Sequence, residues 1–446
     1  MKLNKQLNFF IKKKINSSFR KNYINSICKK SLKIFNEKII SFSKEKEKEK
    51  EKEKEKEKEK EKNFISSIIK YDYSFPIKEN IDWNLLKKYL IDKNGIYLFF
   101  LNGFYLYNFL EKKNKFIFSI NEILLKKKSN STIENFFGKT ISNNDIFNSL
   151  NFLFSKDGAY IFIPDKICLK KTIYIINLYK IKNDFSIINT RNLIILGKKS
   201  KAKIVEFHES LTNKIFFSNY ITEIYNKKES NIEYIKLYTN IAYSYLRNKT
   251  YITQKKKSIC TLNNFSFEGK FLNENINFFS CGKKSKSYFN GLAILKKKSI
   301  HQYVKINSLI DHLFSNCESY QLTQSILDGT SKGSFNGKIR IHKKANNIIA
   351  FQKNNNILLN KNSYVYSNPE LEIFANNVKC SHGSTLGTLD KNKIFYLCTR
   401  GIETKIAKSI LILLYAKKIL KNINIPKIKL FLSKKILNIL NLKNVF

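Results

Sequence analysis

The chain has 446 residues, 43% apolar and 26% charged, enough for a sizeable buried core in one large domain or two to three ordinary ones. Its formal charge of +47, from 82 Lys+Arg against 35 Asp+Glu, would by itself suggest a polyanionic partner. The excess is nearly all lysine, arginine standing only at 20, 191, 247, 340 and 400, which argues against a nucleic-acid reader built on the planar arginine fork and leaves a basic nucleic-acid scaffold as a rival reading.

The same chain is heavy in Asn, Ile, Phe and Tyr and holds only 4 Pro, the bias of an AT-rich genome writing its surface in Lys and Asn. No nucleic-acid partner is expected. Nor is a membrane, because no apolar run approaches the roughly eighteen residues of a span, and Ile410 to Leu414 is too short. The seven cysteines (Cys28, Cys168, Cys260, Cys281, Cys317, Cys380 and Cys398) form no CxxC pair and follow no signal-peptide core. That favours a reducing compartment. A bacterial cytoplasm is expected, with a plastid or apicoplast stroma as the alternative. The acid-poor stretch before Glu37 reads as compositional drift rather than a cleaved leader.

In chain order, Phe19 to Ile40 reads as weakly helical. Lys44 to Lys62 alternates Lys and Glu with no apolar residue to bury, and reads as a solvated insert. Phe75 to Leu90 carries the only tryptophan, Trp83, and a helix around Leu85 to Leu90. Aromatics then run from Tyr97 to Phe109, with Asn102-Gly103 as a turn between strand-like runs. Residues 1–149 are expected to form a mostly helical N-terminal region with the Lys-Glu insert at 44–62.

Residues 150–389 are expected to be a β core. Runs such as Ala159 to Ile163, Asn192 to Leu196, Ala202 to Glu206, Ile232 to Lys236, Gly291 to Leu295 and Gly337 to Ile341 alternate or are wholly apolar, and are separated by Asn, Ser, Gly and Lys. Alternation alone leaves a sandwich, a propeller and a parallel β-helix open. Asn354 to Asn356 is read as a turn between stacked coils. Residues 390–446 form a helical domain: Asp390 caps a helix through Thr399, Gly401 stops it, and Glu403 opens a second with apolar residues at 406, 407, 410, 411, 414 and 419. Pro426 breaks that helix, and a third follows.

Catalytic signatures are scarce. Gly333-Ser-Phe-Asn-Gly337-Lys338 lacks the spacing and the hydroxyl of a phosphate loop, and Gly329, Gly333 and Gly337 are read as turn glycines. His208-Glu209 starts like a zinc-protease helix, but Thr212 stands where a second ligand belongs. One constellation remains, Lys379-Cys380-Ser381-His382-Gly383. On a strand Cys380 and His382 share a face, offering a soft and a borderline ligand to a transition metal, or else a packed thiol and a core histidine.

Pro369-Glu-Leu-Glu-Ile-Phe-Ala375 through Cys380-Ser-His-Gly to Leu386-Gly387, continued by Leu389-Asp390 and Ile394 to Arg400-Gly-Ile402, resembles the hallmark of the SufB/SufD family of iron–sulfur cluster assembly proteins. Asp311-His312, Leu327-Asp-Gly329, Asn151, Asp157-Gly158, Ile163-Pro164 and Arg191-Asn192-Leu193-Ile194 extend the resemblance over about residues 75 to 440. The Cys-Ser-His-Gly form is similar to the SufD branch. Asn376-Asn377 departs from its acidic pair, and Trp83 lacks the usual following residues.

The resemblance implies a mainly β fold: a right-handed parallel β-helix core flanked by N-terminal and C-terminal helical regions. It implies a non-enzymatic scaffold in a complex of one SufB, one SufD and two copies of the ATPase SufC, bound through the apolar C-terminal helices at Asp390 to Leu440. It implies a transient iron–sulfur cluster or iron at the SufB–SufD interface, with His382 and Cys380 as its metal ligands, and leaves a reduced flavin open. The alternatives are a SufB-like scaffold and a β-helix carbohydrate-active enzyme, whose paired carboxylates would be Glu370 and Glu372.

Overall fold

The computed structural model describes residues 81–106, 116–125, 130–139, 145–296 and 301–442. The Lys-Glu alternation at 44–62, the helical tendency of Phe19 to Ile40 and the acid-poor leader lie outside the described residues.

Strands of mostly eight to eleven residues alternate between two sheets, one of ten strands and one of nine. From the strand 159–163 onward each pairs in parallel with the strand two places on, until the last two, as in the register Tyr288, Tyr320, Phe351, Ser381. That is a parallel β-helix of about seven turns, which settles what alternation left open. Two antiparallel pairs close its N-terminal end, 96–101 with 104–105 and 117–119 with 159–163. The first is the hairpin whose turn is Asn102-Gly103, both with positive φ.

One corner of the helix repeats a single device. Lys166, Lys199, Glu229, Lys257, Lys284, Asn316, Asn347 and Asn377 all hold φ between 56° and 65°. The N–H of Lys199 donates to Lys228 O, that of Glu229 to Lys256 O, and that of Asn347 to Asn377 O. Each corner is therefore hydrogen-bonded to the next coil, and the backbone groups a turn would leave unpaired are satisfied by stacking.

Between the sheets lies an apolar lumen containing Ile175, Leu262, Phe289, Ile310 and Ile339. A second core sits outside the ten-stranded sheet. Helix α1 (Trp83–Lys87) begins this layer, capped by Asp82 and slightly upstream of the expected helix. On the face of the nine-stranded sheet lie α2 (Ile120–Leu125), α3 (Asn130–Phe136) and α4 (Ile146–Phe154).

After the last strand come α5 (Lys391–Thr399), α6 (Thr404–Leu420) and α7 (Pro426–Ile439). Asp390 accepts from the N–H groups of Asn392 and Lys393, and Gly401 takes φ 81° at the end of α5. Pro426 opens α7 rather than interrupting a helix, since its missing N–H is one that a first turn leaves unpaired anyway. Ile412, Ala416, Ile419, Ile428, Leu432 and Ile436 pack on Val205, Phe207, Ile235, Leu237 and Leu292 of the sheet. The apolar excess read from the sequence is thus largely used within the chain. Phe395 and Tyr396 on α5 remain 71% and 58% exposed.

Two smaller readings change. Asn354 to Asn356 lies inside the strand 348–358, where Asn354 and Asn356 face the lumen and Asn354 Nδ2 donates to Thr323 Oγ1 at 2.8 Å. Of the glycines, Gly329 turns the chain with φ 64°, but Gly333 and Gly337 sit within the strand 332–341. A Cβ at 337 would stand 2.2 Å from Gln352 Nε2, so that glycine makes room for a glutamine across the lumen.

Candidate functional site

The helix ends open. Its last two strands, 364–373 and 378–387, each pair on one side only, with 332–341 and 348–358. The other edges carry unpaired N–H and C=O groups, which natural sheets normally cover. Tyr364 at 58%, Phe374 at 63% and Leu386 at 60% exposure surround this end.

Cys380 and His382 lie on the final strand in register with Ala350 and Gln352. Both of those are buried in the lumen, so both site residues occupy the inward-facing row, uncovered because no further coil follows. Cys380 is half-buried and packs on the core, and burial pushes its thiol above the ordinary range. It stands as a protonated thiol until a metal or base takes the proton. His382 is exposed.

The column beneath His382 explains the chemistry of this end. One register position runs through Ile173, Ile204, Tyr234, Leu262, Phe289, Gln321, Gln352 and His382. It is apolar for most of its length and polar over the last three rungs. Alongside, Ser384 Oγ donates to Ser367 Oγ at 2.8 Å, and Ser367 Oγ donates to Asn354 Oδ1 at 2.8 Å across the lumen. The mouth of the lumen is therefore lined by amides, hydroxyls, a thiol and an imidazole. Among the described residues no three His, Cys, Asp or Glu side chains gather into a metal-holding group. Cys380 and His382 supply two possible ligands, short of a closed site.

Glu370 and Glu372 share strand parity on the outside of the last coil. Lys338 Nζ lies 3.0 Å from Glu370 Oε1, and Arg340 Nε donates to Glu372 Oε2 at 2.8 Å. Hydrogen bonds from Lys338 and Arg340 hold the Glu372 carboxyl below its usual range, which suits an ion-pair ladder and not a proton donor. A groove of about 800 Å³ on the ten-stranded sheet, lined by Tyr288, Tyr320, Phe351, Lys353, Lys421 and Asn422 among others, contains neither glutamate. Glu370 and Glu372 are thus both engaged by basic side chains, an arrangement unlike the acid and base of a glycosidase.

His208 lies on the strand 201–210, not on a helix, and points into a buried network. Its Nε2 is 2.9 Å from Glu206 Oε1 and its Nδ1 is 2.7 Å from Tyr179 OH. Lys236 Nζ lies 3.7 Å from both Glu206 and Glu274 and donates to Thr250 Oγ1 at 2.8 Å. Tyr234 donates to Glu206, and Tyr238 to Glu274. Burial raises the Glu206 carboxyl, but the Lys236 charge and the His208 contact outweigh it and hold the group down to about 2. Sequence reading missed this cluster, although the alternation Ile232, Tyr234, Lys236, Tyr238 placed a lysine on an inward row.

Fold and site together define a parallel β-helix protein whose open end joins unpaired strand edges to a thiol and an imidazole. Residues 179–413, more than half of the chain, match the SUF system FeS cluster assembly, SufBD core domain. An iron–sulfur cluster assembly SufBD family protein of Synechocystis is 26% identical over 308 residues, 67% of each chain. The iron–sulfur cluster assembly protein SufD of Escherichia coli is 28% identical over 231 residues, 51% of this chain and 53% of that one. Protein ABCI7, chloroplastic, of Arabidopsis thaliana is 24% identical over 297 residues, 65% of this chain and 62% of that one. The chain thus spans between about half and two thirds of the length of these relatives. It belongs to the SufB/SufD family of the SUF iron–sulfur cluster assembly system.

Proposed function

We propose that this chain is a SufD-like scaffold subunit of a SUF assembly complex, working without turnover of its own. Its last coil pairs edge to edge with a SufB subunit, and its C-terminal helices hold one of two SufC ATPase copies. An iron–sulfur cluster, or the iron for it, is the cargo at that junction, bound in part by His382 and Cys380.

The observation that carries this reading is the open final coil. Ten-residue edges without a partner, ringed by exposed Tyr364, Phe374 and Leu386, suit continuation by another chain's coil. The same coil holds both candidate ligands on its inward row, so a partner coil docked there would meet them and could complete the ligand set. Phe395 and Tyr396, exposed on α5, suit a second contact, with SufC. The relatives named SufD favour that branch. The six cysteines among the described residues are free thiols, which suits a reducing compartment, and the chloroplastic relative makes a plastid stroma an alternative to a bacterial cytoplasm.

Co-expression of the tagged full chain with SufB and SufC, followed by iron and sulfide analysis of what co-purifies, tests the proposal. A stable complex that loads both elements is expected. A chain that purifies alone, with SufB and SufC present and folded, overturns it.

A further inference from the structure

Gln352 is 1% exposed, and its two amide atoms stand in unequal positions. Its Nε2 donates to Gln321 Oε1 at 3.0 Å, on the preceding rung, and Gln321 Nε2 in turn donates to Ser308 Oγ at 2.8 Å. Its Oε1 is buried with no partner. Like the buried Ser280 Oγ and His312 Nδ1, that oxygen is unsatisfied among the described residues, and it stands as an acceptor open to a donor. The next rung in register is His382, and successive rungs lie only about 4.8 Å apart. Space has been made for the amide as well, since any Cβ at Gly337 would strike Gln352 Nε2.

We propose that Gln352 is the positioning residue for His382: its Oε1 accepts from one ring nitrogen and so leaves the other nitrogen as a free lone pair at the mouth of the lumen. The inference rests on the reading of His382 as a ligand. It adds what that reading lacks, a reason for one ring orientation and one tautomer. An exposed imidazole otherwise divides between two tautomers, only one of which presents a given nitrogen to a metal. A hydrogen bond to the far nitrogen removes that division and makes the ligating nitrogen more basic. The bond from Gln352 Nε2 to Gln321 Oε1 engages the amide nitrogen and leaves the oxygen as the atom without a partner.

The chain has only 5 histidines, so long-range proton–nitrogen NMR on histidine-labelled full chain resolves each ring. It is recorded alone and with unlabelled SufB. In the native chain His382 should show one dominant tautomer in at least one of the two states. Gln352→Met, which keeps length and volume but removes the acceptor, should return His382 to a mixture. Gln352→Glu keeps the oxygen in reach and should preserve the single tautomer. The rings of His208 and His312, also in the lumen, report whether the interior is intact. If Gln352→Met fails to fold, the native chain and Gln352→Glu still decide. A mixed tautomer in native His382 in both states, or a single tautomer that survives Gln352→Met with the interior intact, overturns the proposal. Failure of the ligand reading would show separately, as normal iron and sulfide loading by His382→Ala with the tautomer of native His382 still fixed.

Discussion

Arg191 Nη2 lies 3.0 Å from Glu223 Oε1, and neither side chain reaches solvent. Arg191 Nη1 donates to Asn148 Oδ1 at 3.1 Å and Asn151 Oδ1 at 3.3 Å, and Glu223 Oε2 accepts from the N–H of Gly138 at 2.9 Å. The guanidinium carbon stands 5.6 Å and 5.4 Å from the rings of Phe137 and Phe152. One buried ion pair thus ties α4 and the end of α3 to the nine-stranded sheet. Arg191→Met removes the buried guanidinium that faces the Glu223 carboxyl group, and should cost about 3–5 kcal/mol in urea unfolding. Arg191→Met with Glu223→Gln should cost less than the two single changes summed, because the two side chains bond directly to each other.

Asp157 and His312 give stability opposite dependences on pH. Burial raises the Asp157 carboxyl to about 6, although Asn121 and Gly158 N–H groups donate to it. The folded state therefore holds that proton more tightly than the unfolded chain, and the resulting stability is full below about 4 and lost as pH rises through about 6. Asp157→Asn keeps the Oδ1 acceptor without the charge. It should raise stability at neutral pH by at most about 3 kcal/mol, a gain that closes in acid. Burial instead lowers His312 to about 4, so its contribution is full above about 6.5 and lost as pH falls through about 4. His312→Gln should flatten the acid side of the stability profile. Thermal unfolding across pH reads both.

Gly337→Ala should destabilise by about 1–3 kcal/mol, the cost of overpacking a filled interior. The added carbon meets Gln352 Nε2 at 2.2 Å and the Phe335 ring at 2.4 Å. Gly383→Ala, where nothing lies within 4 Å, should change stability by less than about 0.5 kcal/mol. Denaturant midpoints of the two variants make the comparison.

Much of the fold was legible because strands and caps are local. The Ile232 to Lys236 and Gly337 to Ile341 runs are strands, and a helix is bounded by the capping carboxylate of Asp390 and the positive φ open to Gly401. Which strand pairs with which was not legible from alternation, since register such as Tyr288 with Tyr320 joins residues far apart in sequence. The resemblance supplied the β-helix. Asn354 to Asn356 was misread because asparagine in a turn and asparagine in an amide ladder look alike in sequence. The shared face of Cys380 and His382 followed from strand parity, but Gln352 and its unpaired oxygen could be found only once the coils were stacked.

Phe395→Glu with Tyr396→Glu should abolish SufC binding while leaving the β-helix folded. Both rings are largely exposed on α5, a helix with no buried residue, so the change removes no core contact. Deleting everything after Gly387 is a poorer test, because α6 and α7 cover the apolar face around Phe207 and Leu237. Unchanged SufC affinity in the double variant, with native thermal stability, would place the contact elsewhere.

His382→Ala should leave SufB and SufC binding and ATP hydrolysis near native, yet lower the iron and sulfide content of the complex several-fold. The ring is exposed on an edge strand, so its removal opens no cavity and should cost little stability. Neutral imidazole is a good ligand for iron, and its loss removes one of only two candidate ligands on the last coil. Cys380→Ser should lower cluster content less, and should also cost some stability. Its thiol is half-buried against the core, and a serine there places a hydroxyl where the sulfur packs. Thermal stability, SufC binding and iron content measured on the same preparations separate the two roles. Loss of cluster at native stability marks His382 as a ligand, loss of all three together marks it as structural, and a stable complex that still loads iron and sulfide removes it from the site.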